Sequence, residues 1–126
     1  MTRPLICVIE DYADSRVLIT TVLSRAGMEV ITAEDGAALD DLMATGCRPG
    51  LFLIDLSLPG EDGLSILRRL RSQVQYKDTP MVALTAHAMA GDAERGRAAG
   101  FDGYLTKPID IVTLPDRLNA FLDRAA

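Results

Sequence analysis

Asp55 closes a short apolar run, Leu51-Phe52-Leu53-Ile54, and a turn-forming Leu58-Pro59-Gly60 follows it. A carboxylate at the carboxyl end of a buried strand stands where open α/β sheets gather their chemistry. Three other apolar runs also end on polar residues. Ile6-Cys7-Val8-Ile9 leads into Glu10-Asp11, Met81-Val82-Ala83-Leu84 into Thr85, and Gly103-Tyr104-Leu105-Thr106 into Lys107-Pro108. As strands of one parallel sheet, these runs would bring three carboxylates, a hydroxyl and an amine to one edge. Glu10, Asp11 and Asp55 would repel one another there, and unpaired, at least one would have to stay protonated. A divalent cation resolves that repulsion. Oxygen ligands with no His or Cys among them point to Mg2+, which keeps several waters and borrows oxygens from a phosphate. Lys107 can pair with a carboxylate or a phosphoryl oxygen, and the Thr85 hydroxyl can hydrogen-bond a phosphoryl group. One such residue alone reads as an ordinary polar strand end. Five converging residues of complementary type read as a site.

The elements that must position them alternate five times between apolar strands and amphipathic stretches. Strands are expected at about Leu5–Ile9, Glu29–Thr32, Leu51–Ile54, Met81–Leu84 and Gly103–Leu105. Helices are expected at about Asp14–Ala26, Gly36–Thr45, Leu64–Val74, Met89–Ala99 and Ile111–Leu122, with Gly27, Gly46 and Gly100 as stops after the first, second and fourth. This alternation argues for a parallel sheet with helices on both faces. The first, third and fourth strands lack an apolar/polar alternation, as strands buried on both faces do. On the first helix, Ile19, Val22, Leu23 and Ala26 form a core stripe, while Val17 and Thr21 fall towards another face.

Length and composition fit a single domain spanning all 126 residues, with 48% hydrophobic and 25% charged residues. No apolar run approaches the ~20 residues of a membrane span, and Met1-Thr2-Arg3-Pro4 carries no signal-peptide pattern, so a cytoplasmic protein without membrane insertion is expected. The net charge is −5 with no basic run, which disfavours direct nucleic-acid binding. Cys7 and Cys47 form no CxxC, and with one histidine in the chain a zinc site is not expected. Both cysteines read as small buried or half-buried thiols.

Four segments together carry a family resemblance: Glu10-Asp11, Asp55-Leu56-Ser57-Leu58-Pro59-Gly60-Glu61-Asp62-Gly63, Ala83-Leu84-Thr85-Ala86, and Tyr104-Leu105-Thr106-Lys107-Pro108. In this order and spacing the chain resembles a receiver domain of the two-component response-regulator family, of the stand-alone, single-domain type, from Ile6 to Leu122. The resemblance implies an α/β fold, a doubly wound five-stranded parallel sheet in the flavodoxin-like order 2-1-3-4-5. It implies that Asp55 is the phosphoacceptor, attacking a phosphohistidine of a histidine kinase or histidine phosphotransfer protein. Glu10, Asp11, Asp55 and the backbone carbonyl of Ser57 would hold Mg2+. Thr85 would bond the phosphoryl oxygens, Lys107 would contact the phosphoryl group or Asp55, and Tyr104 would change rotamer as Thr85 moves. Pro108 would follow a cis peptide bond. A downstream protein partner would bind the surface of the fourth helix, fifth strand and fifth helix, on a monomer or weak dimer.

The chain also departs from the family pattern. Glu10 stands where Asp is also common, and Tyr12 follows the acidic pair where a short polar residue is more usual; its ring would either shield the pocket mouth or cover the first helix. Ser57 and His87 lie two residues after Asp55 and Thr85 and would modulate phosphoryl lifetime, although an exposed His87 opening a helix is the plainer reading. In the fourth helix Gly91 and Gly96 each cost about 1 kcal/mol relative to Ala, the low local stability a moving element needs. Exposed Val17 would either dock the donor's helical bundle or be scattered surface apolarity. A phosphohydrolase resembling the haloacid-dehalogenase enzymes would need a second Asp where Ser57 stands. A receiver that has lost phosphorylation would not retain Asp55, Asp11, Thr85 and Lys107 together. Nucleotide binding lacks its Gly-rich loop. The chain is therefore expected to phosphorylate and dephosphorylate itself, without being a turnover enzyme.

Overall fold

Five parallel strands form one sheet: β1 Leu5–Ile9, β2 Glu29–Ala33, β3 Leu51–Asp55, β4 Met81–Thr85 and β5 Gly103–Thr106. The computed structural model describes residues 3–58, 60–86 and 100–125. The strand order is β2-β1-β3-β4-β5, the doubly wound order expected. Ile9 pairs with both Ala33 and Ile54, and Asp55 pairs with Leu84. Thr85 pairs with Thr106, so the carboxyl ends of the strands finish level.

The central strands are apolar up to their last residues, Asp55 in β3 and Thr85 in β4, because both faces are covered. β3 and β4 are buried at every residue. On one face Cys7, Ile9, Phe52, Ile54, Met81 and Ala83 pack with Leu39 of α2 (Gly36–Ala44) and Ile66, Leu67 and Leu70 of α3 (Gly63–Arg71). On the other, Ile6, Val8, Leu51, Leu53, Val82 and Leu84 pack with Ile19 and Leu23 of α1 (Ala13–Arg25) and Leu114 and Leu118 of the C-terminal helix, Leu114–Ala125.

The helix boundaries depart from expectation where local hydrogen bonds overrule periodicity. α3 stops at Arg71 rather than near Val74. The Ser72 hydroxyl donates back to the Arg69 carbonyl at 2.7 Å, and a 3-10 turn, Val74–Tyr76, follows. Arg71 Nη1 then donates to the carbonyls of Tyr76, Lys77 and Thr79, and Nη2 to the Gly100 carbonyl and Asp102. One guanidinium thus satisfies three carbonyls of the connection to β4. The last helix begins at Leu114, not Ile111. Asp110 Oδ1 accepts from Val112 and Thr113, but Pro115 has no N–H for the Ile111 carbonyl, so the regular ladder starts later. Ala26 is exposed rather than part of the core stripe, because it is the C-cap where α1 ends, and Val22 is half-buried. Gly27 follows with φ +87°; its N–H donates to the Ser24 carbonyl and that of Met28 to Leu23, a Schellman closure that needs the left-handed conformation. The expected fourth helix, Met89–Ala99, with Gly91 and Gly96, lies outside the described residues.

Candidate functional site

The strand ends deliver their polar residues to one pocket. Asp55 is the last residue of β3 and 2% exposed, and Glu10, directly after β1, is fully buried. Asp11 beside it is exposed. One carboxylate oxygen from each of Glu10, Asp11 and Asp55 can be chosen so that all three lie within 4.8 Å of one another. Lys107, following β5, reaches across the strand ends. Its Nζ donates to Glu10 Oε1 and Oε2 at 3.1 and 3.0 Å and to Asp55 Oδ2 at 2.9 Å. The other Asp55 oxygen accepts from the Ser57 N–H at 2.8 Å. Asp55 is thus fixed by an ammonium on one oxygen and a main-chain donor on the other.

The three charges set one another's protonation. Burial first, then the hydrogen bond with Asp55, pushes the Glu10 carboxyl up to about 7. Burial also works against ionising Asp55. The hydrogen bonds from Glu10, the Ser57 N–H and Lys107 outweigh it and hold Asp55 below its ordinary value. For Lys107, burial favours the neutral amine, but the hydrogen bonds to Asp55 and Glu10 prevail and raise it. Of the carboxyl groups crowded here, the one at Asp55 stays ionised, and the one expected to hold a proton is Glu10. In the presence of a divalent cation that proton would be displaced, because the donor set is all oxygen and anionic when ionised, a set suited to Mg2+.

Thr85 ends β4, is 3% exposed, and its carbonyl accepts from the Lys107 N–H at 2.7 Å. The strand register therefore carries Thr85 to the same edge as Asp55 and Lys107. Tyr104 sits two residues before Thr106 in β5, half-buried against the cluster on the α2–α3 face. Ser57 is exposed in the loop after β3. The Lys107–Pro108 bond is cis, as expected. Tyr12 is the N-cap of α1 and 61% exposed; its N–H makes a long bond, 3.4 Å, to Glu10 Oε1. His87 and Pro59 lie outside the described residues.

Two supporting residues escaped the sequence reading. Gly63 opens α3 directly beneath the site, where a Cβ would meet the Asp55 carbonyl oxygen at 2.5 Å and Leu56 Cα at 2.9 Å. Its neighbour Asp62 caps the helix by accepting from the Ser65 N–H at 2.8 Å. A Gly directly after a capping Asp was the available signal. The second is Arg16, whose Nη1 donates to the carbonyls of Glu10 and Asp11 at 2.8 and 2.9 Å. No signal in the sequence singles it out from other helix arginines.

A family description, the response regulator receiver domain, matches residues 6–119. This chain belongs to that family. Receivers of this family act in two-component signalling, and the acidic pocket is the kind in which they bind Mg2+. Among relatives, the polar-differentiation response regulator DivK of Brucella anthropi is 32% identical over 120 residues, covering 95% of this chain and 97% of that one. The phosphate regulon transcriptional regulatory protein PhoB of Klebsiella pneumoniae is 36% identical over 120 residues, covering 94% of this chain; the chain spans about half, 52%, of that protein. The receiver domain of a sensor histidine kinase from Pseudomonas aeruginosa is 31% identical, with a TM-score of 0.84 over 97% of this chain and 99% of that one. That structure has a magnesium ion coordinated in its active-site cleft. Among the described residues, no helix is long and apolar enough to cross a membrane.

Proposed function

We propose that Asp55 accepts a phosphoryl group from a phosphohistidine of a sensor histidine kinase or a histidine phosphotransfer protein. The observation that carries this reading is the setting of Asp55: a buried carboxylate at the end of β3, held by Lys107 on one oxygen and the Ser57 N–H on the other. One of its oxygens attacks phosphorus. The phosphorus–nitrogen bond breaks as the new phosphorus–oxygen bond forms, and the imidazole leaves neutral once its free ring nitrogen has taken a proton. The product is an acyl phosphate on Asp55, and water later returns the carboxylate.

The nucleophile needs no general base, so the protein's work is positioning and charge neutralisation. Lys107 offsets charge on the phosphoryl oxygens. Glu10, Asp11, Asp55 and the Ser57 carbonyl would hold Mg2+, directly or through water, and the ion when bound would supply further neutralisation. Thr85 would bond the phosphoryl oxygens, with Tyr104 changing rotamer in response. Ser57 and His87 would set the lifetime of the acyl phosphate. Phosphorylation would then alter binding of a downstream protein partner at the fourth helix, β5 and C-terminal helix, with the chain acting in the cytoplasm as a monomer or weak dimer. The donor's helical bundle would dock on exposed apolar groups carried by α1 and the loops beside the pocket: Tyr12, Val17 and Leu18 after β1, Ile111 and Val112 after β5. Self-phosphorylation and self-dephosphorylation are the chemistry, not turnover of a substrate.

The test is incubation with Mg2+ and acetyl phosphate, with Asp55→Asn as the comparison on a phosphate-affinity gel. A retarded band in wild type that Asp55→Asn abolishes is the expected result. No band with acetyl phosphate or with a phosphohistidine donor overturns the reading. Many phosphates released per protein molecule would replace it with a phosphohydrolase.

A further inference from the structure

We infer that Arg16 is a positioning residue for the cation site, an inference that rests on the reading of the acidic pocket as a Mg2+ site. Glu10 and Asp11 are the first two of the three residues between the end of β1 and the start of α1. The Glu10 N–H still pairs with the Ala33 carbonyl of β2. The carbonyls of Glu10 and Asp11 lie past the end of the strand ladder and ahead of the helix, and Arg16 Nη1 takes both, at 2.8 and 2.9 Å. Arg16 lies one turn into α1, and long side chains on a helix lean towards its N-terminus, which brings the guanidinium back to that junction. Asp11 is exposed, so its carboxylate is aimed through its backbone rather than by packing. Fixing two successive carbonyls fixes the two peptide planes that flank Asp11 Cα, and with them the direction in which the Asp11 side chain leaves the chain.

The charge on Arg16 works in the opposite sense. A guanidinium beside a cation site lowers cation affinity by Coulomb repulsion. The sign of the effect therefore separates the two roles. If Arg16 matters only as a charge, its removal tightens Mg2+ binding. If it holds the ligands in line, its removal weakens binding.

Calorimetric titration of metal-free protein with MgCl2 decides between them, with the melting temperature of each variant recorded in EDTA. Arg16→Gln should weaken Mg2+ binding about tenfold, the low end for groups that orient metal ligands. Arg16→Lys, whose ammonium keeps the charge and can also donate to two carbonyls, should lie between Gln and wild type, and it keeps the test alive if Arg16→Gln does not fold. Unchanged or tighter binding in Arg16→Gln overturns the inference, as does a lowered melting temperature with affinity intact. Asp11→Asn is the control for the site itself. If wild type binds Mg2+ no better than Asp11→Asn, it is the Mg2+ reading that fails, and the inference falls with it.

Discussion

Glu10 holds no solvent-accessible surface, lies within reach of a second carboxylate, and is held by one ammonium. That arrangement gives stability a definite pH dependence in the metal-free protein. The folded pKa of Glu10, about 7, lies above its ordinary 4.5. Between those values the folded state keeps a proton that the unfolded chain has lost, so stability falls as pH rises through this window. Asp55 has the opposite sign, since its folded pKa is lowered, but its window lies below 3.8 and does not overlap. In EDTA, the urea midpoint should decline from pH 5 to pH 8, by the equivalent of at most about 3 kcal/mol. Glu10→Gln should flatten that slope, and a wild-type midpoint unchanged across the range would refute the assignment. Lys107 offsets only part of the repulsion, because its side chain remains 27% exposed and its field is partly screened.

At the scale of elements, the start of α3 and the end of β3 meet too closely for any side chain. Gly63→Ala would drive its new methyl group against the Asp55 carbonyl and Leu56 Cα, both main-chain atoms that cannot swing aside. The expected loss is roughly 1–3 kcal/mol, larger than the helix-propensity gain of Ala over Gly. Thermal unfolding by circular dichroism measures it, and acyl phosphate formation on Asp55 should fall as well, because the displaced backbone is that of the nucleophile. A variant as stable as wild type would mean that the loop relaxes freely. Element existence was legible because apolar runs and glycine stops agree: Gly27 closes α1, and Gly46 follows the end of α2, both at positive φ. Element ends were less so. Arg71 gathering the carbonyls after α3, and Pro115 silencing one donor, act through contacts or missing bonds that periodicity does not register.

Across the whole molecule, the sheet separates two apolar layers and sets the reactivity of groups buried within them. Cys7 in β1 is fully buried, and desolvation pushes its thiol up to about 12. Cys47 is half-buried at the end of α2, its sulfur within 2.9 Å of the Thr45 hydroxyl. Thiolate and access together govern alkylation. Iodoacetamide at pH 8 should therefore modify Cys47 in the native protein and Cys7 only in urea, read by mass spectrometry. Native labelling of Cys7 at a comparable rate would show that the sheet opens locally. The sequence by itself determined the alternation of strands and helices, the doubly buried central strands, and which polar residues end them, because those are properties of local pattern and of runs a few residues long. It also supplied the residue types that fit a cation and a phosphoryl group. Only the tertiary structure decided how those ends are arranged: that Lys107, 52 residues from Asp55 and 97 from Glu10 along the chain, bridges both, that Glu10 rather than Asp55 keeps the proton, and that Arg16 and Gly63 brace the backbone around them. Distance, burial and shared protons between residues so far apart in sequence exist only once the strands lie side by side.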